Sequence, residues 1–326
     1  MNMVKAIRMT ETGGPEVLQL VDIEQPRPGP GEVLIEHKAI GVNFIDTYMR
    51  SGLYPVTLPF VPGNEGAGVV LEVGPGVEDF KPGDRVAYCG GNGGGYSEQR
   101  VMPAGRVLKL PDDISFERGA AMTLKGLTAW FLLRRTYPVK PGDIVLYHAA
   151  AGGVGLIFGQ WAKHLGATVI GTAGSPEKIE LAKAHGFDHV INYREENFVE
   201  RVREITGGKM CQVVYDSVGK DTFPASLDCL RPLGMFVSFG QSSGMVPPFS
   251  ISLLQQKGSL FATRPVLFHY IAERKELDTA AEELFDVVRK GAVRIVINQR
   301  YKLEEAAKAH DDLESRRTSG TTILIP

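Results

Sequence analysis

One stretch narrows the possible folds more than any other: Ile144-Val145-Leu146-Tyr147-His148-Ala149-Ala150-Ala151-Gly152-Gly153-Val154-Gly155-Leu156. An apolar segment suited to a buried strand runs into a turn of small residues, and an apolar helix follows. A turn this tight, with backbone brought close to a ligand and the helix packed on the strand, tolerates little side-chain volume. In the G-x-G-x-x-G frame the three positions are Ala150, Gly152 and Gly155, so alanine holds the first, and Gly153 adds freedom. A helix starting here presents unbonded N–H groups and a positive dipole end, the arrangement that receives a pyrophosphate. Gly152, Gly153, Val154 and Gly155 are the expected phosphate-binding residues of a dinucleotide site.

The surroundings repeat the same alternation. Strands are predicted at 144–148, 168–172, 189–192, 212–216 and 235–239, with helices at 156–165, 176–185 and 197–206. Strands alternating with helices indicate a parallel sheet with crossover helices, hence an α/β, doubly wound domain. Upstream the character differs. Short β-branched runs at 33–39 and 68–73 are punctuated by Pro28-Gly29-Pro30-Gly31, Gly74-Pro75-Gly76 and Lys81-Pro82-Gly83-Asp84. The glycine run at 90–95 is expected to be a flexible loop. Helical spacing sets in at 116–135, through Ala120, Leu124, Leu127 and Phe131. A charged amphipathic helix is predicted at 270–290 and a last strand at 321–325. With 326 residues, two domains are expected: a β-rich one at 1–124, a doubly wound one at 125–267, and a return to the first at 268–326.

Composition excludes several classes. A net charge of -2 carries no basic excess for nucleic acid, and no apolar run is long enough to span a membrane. The three cysteines, Cys89, Cys211 and Cys229, are dispersed, which favours a reducing compartment over a disulfide framework. The opening segment lacks the apolar core of a secretory signal, so a cytoplasmic protein is expected.

The second strand bears on which dinucleotide is held. NAD sites place a carboxylate at its end for the ribose hydroxyls. Here the strand ends in Ala173-Gly174-Ser175-Pro176-Glu177-Lys178. Gly174 and Ser175 leave room for a 2′-phosphate, Lys178 supplies charge, and Tyr193 with Arg194 could flank the adenosine. Glu177, one turn into a helix, is expected to point away. NADPH is the expected cofactor.

Several segments together carry a resemblance along the whole chain: Gly13-Gly14-Pro15-Glu16-Val17-Leu18, Ala39-Ile40-Gly41-Val42-Asn43-Phe44-Ile45-Asp46-Thr47-Tyr48 and Pro62-Gly63-Asn64-Glu65-Gly66-Ala67-Gly68. Lys81-Pro82-Gly83-Asp84-Arg85-Val86, the phosphate turn, and Val214-Tyr215-Asp216-Ser217-Val218-Gly219 add to it. The chain resembles the medium-chain dehydrogenases/reductases, in particular the bacterial NADPH:quinone oxidoreductases related to zeta-crystallin. The resemblance implies a GroES-like β-rich domain, a Rossmann domain, a cleft between them, a homodimer, and NADPH-dependent reduction of a quinone. It implies cofactor contacts from Phe44, Thr47, Lys125, Thr128, Ser217, Phe239, Gly240, Ser242, Arg264 and Arg316. Lys125 reads more simply as a capping or paired lysine, and Arg264 and Arg316 read equally as ion-paired surface residues.

Zinc members of this superfamily use a cysteine and a Gly-His-Glu histidine in the first domain. The corresponding segments here read Gly41-Val42-Asn43-Phe44-Ile45-Asp46 and Gly63-Asn64-Glu65. Zinc prefers thiolate and imidazole, so no metal is expected. An acceptor that delocalises the incoming charge suits such a site better than an alcohol, with hydrogen bonds offered to the developing oxyanion. Asn43 and Tyr48 are the candidates for that role; Asn43 can also be read as a turn residue and Tyr48 as a half-buried helix tyrosine. Asp46 is read as structural. An enone or alkenal double-bond reductase, and a non-catalytic NADPH-binding protein of the crystallin kind, remain as alternatives.

Overall fold

The computed structural model describes residues 2–326; Met1, the start of the segment read for a leader, lies outside the described residues. The chain divides into two compact units. The first runs to Leu127 and resumes at Glu273–Arg289 and Ile295–Pro326, and the second comprises Thr128–Ala272 and Lys290–Arg294.

The first unit begins with β1 (Met3–Arg8), β2 (Gln19–Glu24), β3 (Glu32–Val42), α1 (Phe44–Arg50), β4 (Glu65–Val73), β5 (Arg85–Cys89), β6 (Gln99–Pro103) and β7 (Val107–Lys109). Helix α2 (Phe116–Phe131) carries the chain past the boundary. The second unit holds β8 (Ile144–Tyr147), α3 (Gly153–His164), β9 (Thr168–Ala173), α4 (Pro176–Lys183), β10 (His189–Asn192), α5 (Phe198–Ile205), β11 (Cys211–Asp216), β12 (Leu230–Ser238), α6 (Ser252–Gln256), β13 (Phe261–Thr263) and α7 (Leu267–Tyr270). The first unit closes with α8 (Arg274–Arg289), β14 (Ile297–Lys302), α9 (Ala306–Glu314) and β15 (Thr321–Ile325).

In the first unit β1 and β2 form an antiparallel ribbon. The main sheet runs β14-β15-β3-β4-β5-β7, with β6 also paired to β3. Strand β3 serves three partners because it is long: β4 pairs with it over Val33–Ile40, while β6 takes Glu32–Glu36 and β15 takes Ile40–Val42. Two apolar clusters hold this unit. Val33, Ile35, Val70, Val86 and Met102 form one, and Ile40, Val42, Tyr96, Leu303 and Leu324 the other. Each such buried aliphatic contributes about 1.5–3 kcal/mol over its exposed state.

The second unit is a six-stranded sheet in the order β10-β9-β8-β11-β12-β13, parallel throughout. Counted by appearance that order is third, second, first, fourth, fifth, sixth. The direction of winding reverses between β8 and β11, and ligands of such sheets lie beyond the strands' carboxyl ends at that reversal. The core under it includes Leu146, Ile170, Ile191, Val214 and Phe236. Among the described residues no helix is long and apolar enough to cross a membrane.

Several elements depart from their sequence reading. Helix α3 starts at Gly153 rather than 156, because the glycines themselves make its first turn. Helix α2 ends at Phe131 and opens into a π-helical turn at Leu132–Thr136. Strand β12 begins at Leu230, ahead of the expected 235. The glycine run at 90–95 is not an open loop: Gly90, Gly93 and Gly95 are buried. A Cβ on Gly93 would stand 2.4 Å from the Phe60 ring, and one on Gly95 would stand 2.8 Å from the Gly63 backbone. Close packing, as well as conformational freedom, selects glycine there.

Candidate active site

The phosphate turn lies at the winding reversal of the second unit. Beyond Tyr147, Ala149 adopts a left-handed φ of 61°. The Ala150 N–H donates to Thr172 O at 2.9 Å, tying the turn to the end of β9. Gly152 is the N-cap of α3, in extended conformation. A Cβ on Gly155 would come within 2.4 Å of Ala150 O, so no other residue fits. A Cβ on Gly171 would approach Ala150 Cβ at 2.7 Å and Phe187 Cδ1 at 2.6 Å, so glycine at 171 is what lets the turn pack against β9. The first-turn N–H groups at Gly153, Val154 and Gly155 have no intrahelical acceptor and face the turn.

The residues expected at the adenosine end lie on neighbouring loops. A Cβ on Gly174 would lie 2.4 Å from the Tyr193 hydroxyl, so that phenol stands directly over the glycine. Ser175 caps α4, accepting from the Lys178 N–H at 3.4 Å. Glu177 is exposed at the start of α4, and hydrogen bonds from its own backbone N–H and the Ser175 hydroxyl hold its carboxyl below the usual carboxylate range. A helix N-terminus attracts a carboxylate in this way.

Further along the same sheet edge, Ser217 and Gly240 touch: a Cβ on Gly240 would sit 2.7 Å from Ser217 O. Ser242 N donates to Ser217 O at 3.1 Å, and Phe239 N to Asp216 O at 2.8 Å. Arg264 donates to Ser238 O at 3.1 Å. The second unit thus gathers the expected cofactor residues 152–155, Gly174, Ser175, Lys178, Tyr193, Ser217, Phe239, Gly240, Ser242 and Arg264 on loops leaving one sheet edge. Thr128, half-buried on α2, also belongs to this unit.

Asn43, Phe44, Thr47, Tyr48, Lys125 and Arg316 belong to the first unit. Asn43 is the N-cap of α1 and is buried. Its Nδ2 donates to Glu65 Oε2 at 2.8 Å. The same oxygen accepts from Lys125 Nζ at 2.8 Å, and Glu65 Oε1 accepts from Leu124 N at 2.7 Å. Lys125 therefore directs its ammonium to Glu65. Thr47 Oγ1 bonds back to Phe44 O at 2.9 Å. Tyr48 is half-buried, its ring centroid 5.4 Å from that of Tyr54 and 6.2 Å from that of Phe44. Arg316 is exposed, with a left-handed φ of 58° just beyond α9.

Asp46 anchors a second buried set. It accepts from Asn43 N at 2.9 Å, Asn64 Nδ2 at 2.8 Å and the Tyr96 hydroxyl at 3.2 Å. Burial nonetheless raises its pKa to about 6. Tyr96 Oη lies 2.8 Å from His310 Nε2, and His310 Nδ1 lies 3.4 Å from Arg50 Nη1. Arg50 is paired bidentately with Glu314 at 2.8 and 2.9 Å. With Tyr96 donating to Asp46, His310 must carry its proton on Nε2 and leave Nδ1 to accept from Arg50. Burial, then Arg50, lowers the His310 pKa to about 3, in keeping with a neutral ring.

Sequence reasoning gave Glu65, Tyr96, His310 and Arg50 no role. Only Glu65 carried a signal, its place in Gly63-Asn64-Glu65; the others lie far apart in the chain.

Comparison with known proteins accords with this architecture. Residues 29–112 match the family described as alcohol dehydrogenase GroES-like domain, and 153–286 the family described as zinc-binding dehydrogenase. The quinone oxidoreductase of Pseudomonas aeruginosa is 53% identical, over 99% of this chain and all of its own length. The chain belongs to the quinone oxidoreductase family of medium-chain dehydrogenases/reductases. Within the family, the crystal structure of Escherichia coli quinone oxidoreductase complexed with NADPH superposes with a TM-score of 0.97 at 52% identity, covering 99% of this chain and 100% of that one. The 2-haloacrylate reductase of Burkholderia sp is 47% identical, over 99% of both chains.

The zinc named in one family description does not suit the donors present here. Asn64 Nδ2 donates to Asp46 and Asn43 Nδ2 gives one of its two hydrogens to Glu65, and neither amide is the thiolate or imidazole that zinc prefers. Burial pushes the Cys89 thiol up to about 12, far from the thiolate a zinc would need.

Proposed function

We propose that the protein is an NADPH-dependent quinone reductase that works without a metal. The observation that carries this reading is the full-length similarity to quinone oxidoreductases, one of them crystallised with NADPH. When bound, NADPH supplies the hydride, and a quinone spreads the incoming charge over its own conjugated system. The chain's residues supply the rest. The N–H groups of Gly153, Val154 and Gly155, with Gly152 before them, hold the pyrophosphate. Gly174, Ser175, Lys178 and Tyr193 receive the 2′-phosphate end. Thr128, Ser217, Phe239, Gly240, Ser242 and Arg264 are the remaining cofactor-contact candidates of the second unit, and Phe44, Thr47, Lys125 and Arg316 those of the first. Asn43 and Tyr48 donate hydrogen bonds to the acceptor oxygen as charge develops on it. The Glu65 carboxylate fixes the direction of the Asn43 amide.

NADPH oxidation followed by absorbance across benzoquinones, naphthoquinones, alkenals and 2-haloacrylates tests this reading. Fast quinone turnover is expected, and turnover of the alkenes alone would overturn it. The similarity to 2-haloacrylate reductase favours an activated-alkene reductase as the second reading. Tight NADPH binding with no turnover of any acceptor would make the protein a non-catalytic binder. NADH bound as tightly as NADPH would overturn the cofactor assignment, and one zinc per chain by elemental analysis would overturn the metal-free site.

The protein is proposed to be a homodimer acting in the cytoplasm. The three free, buried cysteines suit a reducing compartment. Strand β13 is a sheet edge, and Phe261 on it, with Leu233, Met245 and Ile251 on nearby segments of the same unit, is exposed. Ile251 is 82% exposed, which suits a covered surface better than a solvated one.

A further inference from the structure

The turn that leaves β8 contains a strained residue and, next to it, a buried imidazole. Ala149, with φ 61°, sits where an L-residue costs about 1–2 kcal/mol. Such outliers persist only where their surroundings over-determine them. The neighbour, His148, is 1% exposed. Its Nδ1 lies 3.0 Å from Thr172 Oγ1 at the end of β9, and its Nε2 lies 3.0 Å from Ser226 Oγ. Ser226 Oγ donates to Asp216 Oδ2 at 2.9 Å, at the end of β11. The other oxygen, Asp216 Oδ1, accepts from Val218 N at 2.8 Å and Gly219 N at 3.0 Å.

Ser226 Oγ has one hydrogen and two acceptors in reach, Asp216 Oδ2 at 2.9 Å and Thr222 O at 3.1 Å. The carboxylate is the stronger and nearer acceptor, and with the hydrogen on it the serine oxygen accepts from His148 Nε2–H. His148 Nδ1 is then an acceptor, and Thr172 donates to it. Every donor therefore points towards one buried carboxylate. Burial lowers the His148 pKa, against the opposing pull of Asp216, in keeping with a neutral ring. Phe198 covers the imidazole edge-on at 5.0 Å between centroids.

The ring thus joins three strand ends. From β8 leaves the pyrophosphate turn, from β9 the Gly174–Ser175 loop, and from β11 the loop carrying Ser217. We infer that His148 is a positioning residue for dinucleotide binding, coupling through Thr172, Ser226 and Asp216 the three loops that hold the cofactor and keeping Ala149 in its left-handed conformation. The inference rests on the NADPH-binding reading above.

Calorimetric NADPH titration of the full-length protein, beside His148→Leu, His148→Gln and Ser226→Ala, tests it. Thermal melts of each variant fix the folded fraction. The Kd and KM for NADPH are expected to rise about tenfold in His148→Leu and Ser226→Ala, equivalent to one misdirected hydrogen bond to a charged phosphate. The change should fall on KM rather than on kcat at saturating NADPH. His148→Gln, whose amide can still donate to Ser226, should recover part of the affinity. Altered melting with unchanged Kd in the folded variants would reduce the cluster to a structural role and overturn the inference. If His148→Leu does not fold, Ser226→Ala decides by the same criterion. Wild-type protein that binds no NADPH would instead overturn the functional reading.

Discussion

Glu65 shows how much one buried side chain can organise. It is fully buried yet accepts from Leu124 N, Lys125 Nζ and Asn43 Nδ2, so its charge is matched by one cation and two dipoles. Removing the cation leaves the carboxylate desolvated without its counter-charge. Lys125→Met should lower stability by about 3–5 kcal/mol, measured by urea denaturation, with much of it restored in Lys125→Met/Glu65→Gln. A loss under about 1 kcal/mol would show that the two N–H donors suffice. His310 makes a pH prediction. Its folded pKa, about 3, lies below its ordinary 6.5. The unfolded chain therefore binds a proton that the folded one refuses. The stability from this group is complete above pH 6.5 and is lost as pH falls towards 3, at about 1.4 kcal/mol per pH unit. His310→Gln should therefore lose about 2 kcal/mol less than wild type between pH 6.5 and 4.5. An equal acid limb in both would contradict the buried neutral ring. Asn43 could be singled out from the sequence because its motif is local. Its partner Glu65 lies 22 residues along the chain, and Lys125, which shares that carboxylate, lies 60 residues beyond Glu65, a grouping only tertiary structure makes.

The elements of the second unit were legible because a parallel sheet covered on both faces writes its strands as continuous apolar runs, such as Ile144–Tyr147 and Cys211–Asp216. The first unit was harder. Strand β2 alternates only between exposed and half-buried positions, and β7 has three residues, so neither carries a period. The start of β12 was hidden by Pro232, which discourages a strand reading. The glycine run at 90–95 was read as flexible because sequence shows missing side chains but not what fills their space. That distinction can be measured. Gly76 and Gly93 share a left-handed backbone, with φ 80° and 88°, but only Gly93 faces a packed ring. Gly76→Ala should cost about 1 kcal/mol, the conformational share alone. Gly93→Ala should cost about 1–3 kcal/mol more, for overpacking against Phe60. Equal losses in chemical denaturation would mean the run is open after all.

At the scale of the whole molecule, the exposed apolar residues near β13 yield a prediction about assembly. Phe261→Glu with Ile251→Glu should shift the mass measured by light scattering from that of a dimer to that of a monomer. A wild-type protein that is already monomeric would refute the proposed dimer. Chain path carries another consequence. The second unit is one continuous insert, Thr128–Ala272, apart from the five residues Lys290–Arg294. That islet is fastened by Gln160, whose amide donates to Arg294 O at 3.0 Å and accepts from Arg294 N at 2.9 Å, and by the buried Val293. The glutamine imitates the paired edge of a neighbouring strand. Anyone grafting the dinucleotide module into a sister enzyme as a single cassette would therefore carry the glutamine across and leave its backbone partner behind. A graft that also transfers the five-residue islet keeps both halves of that clasp.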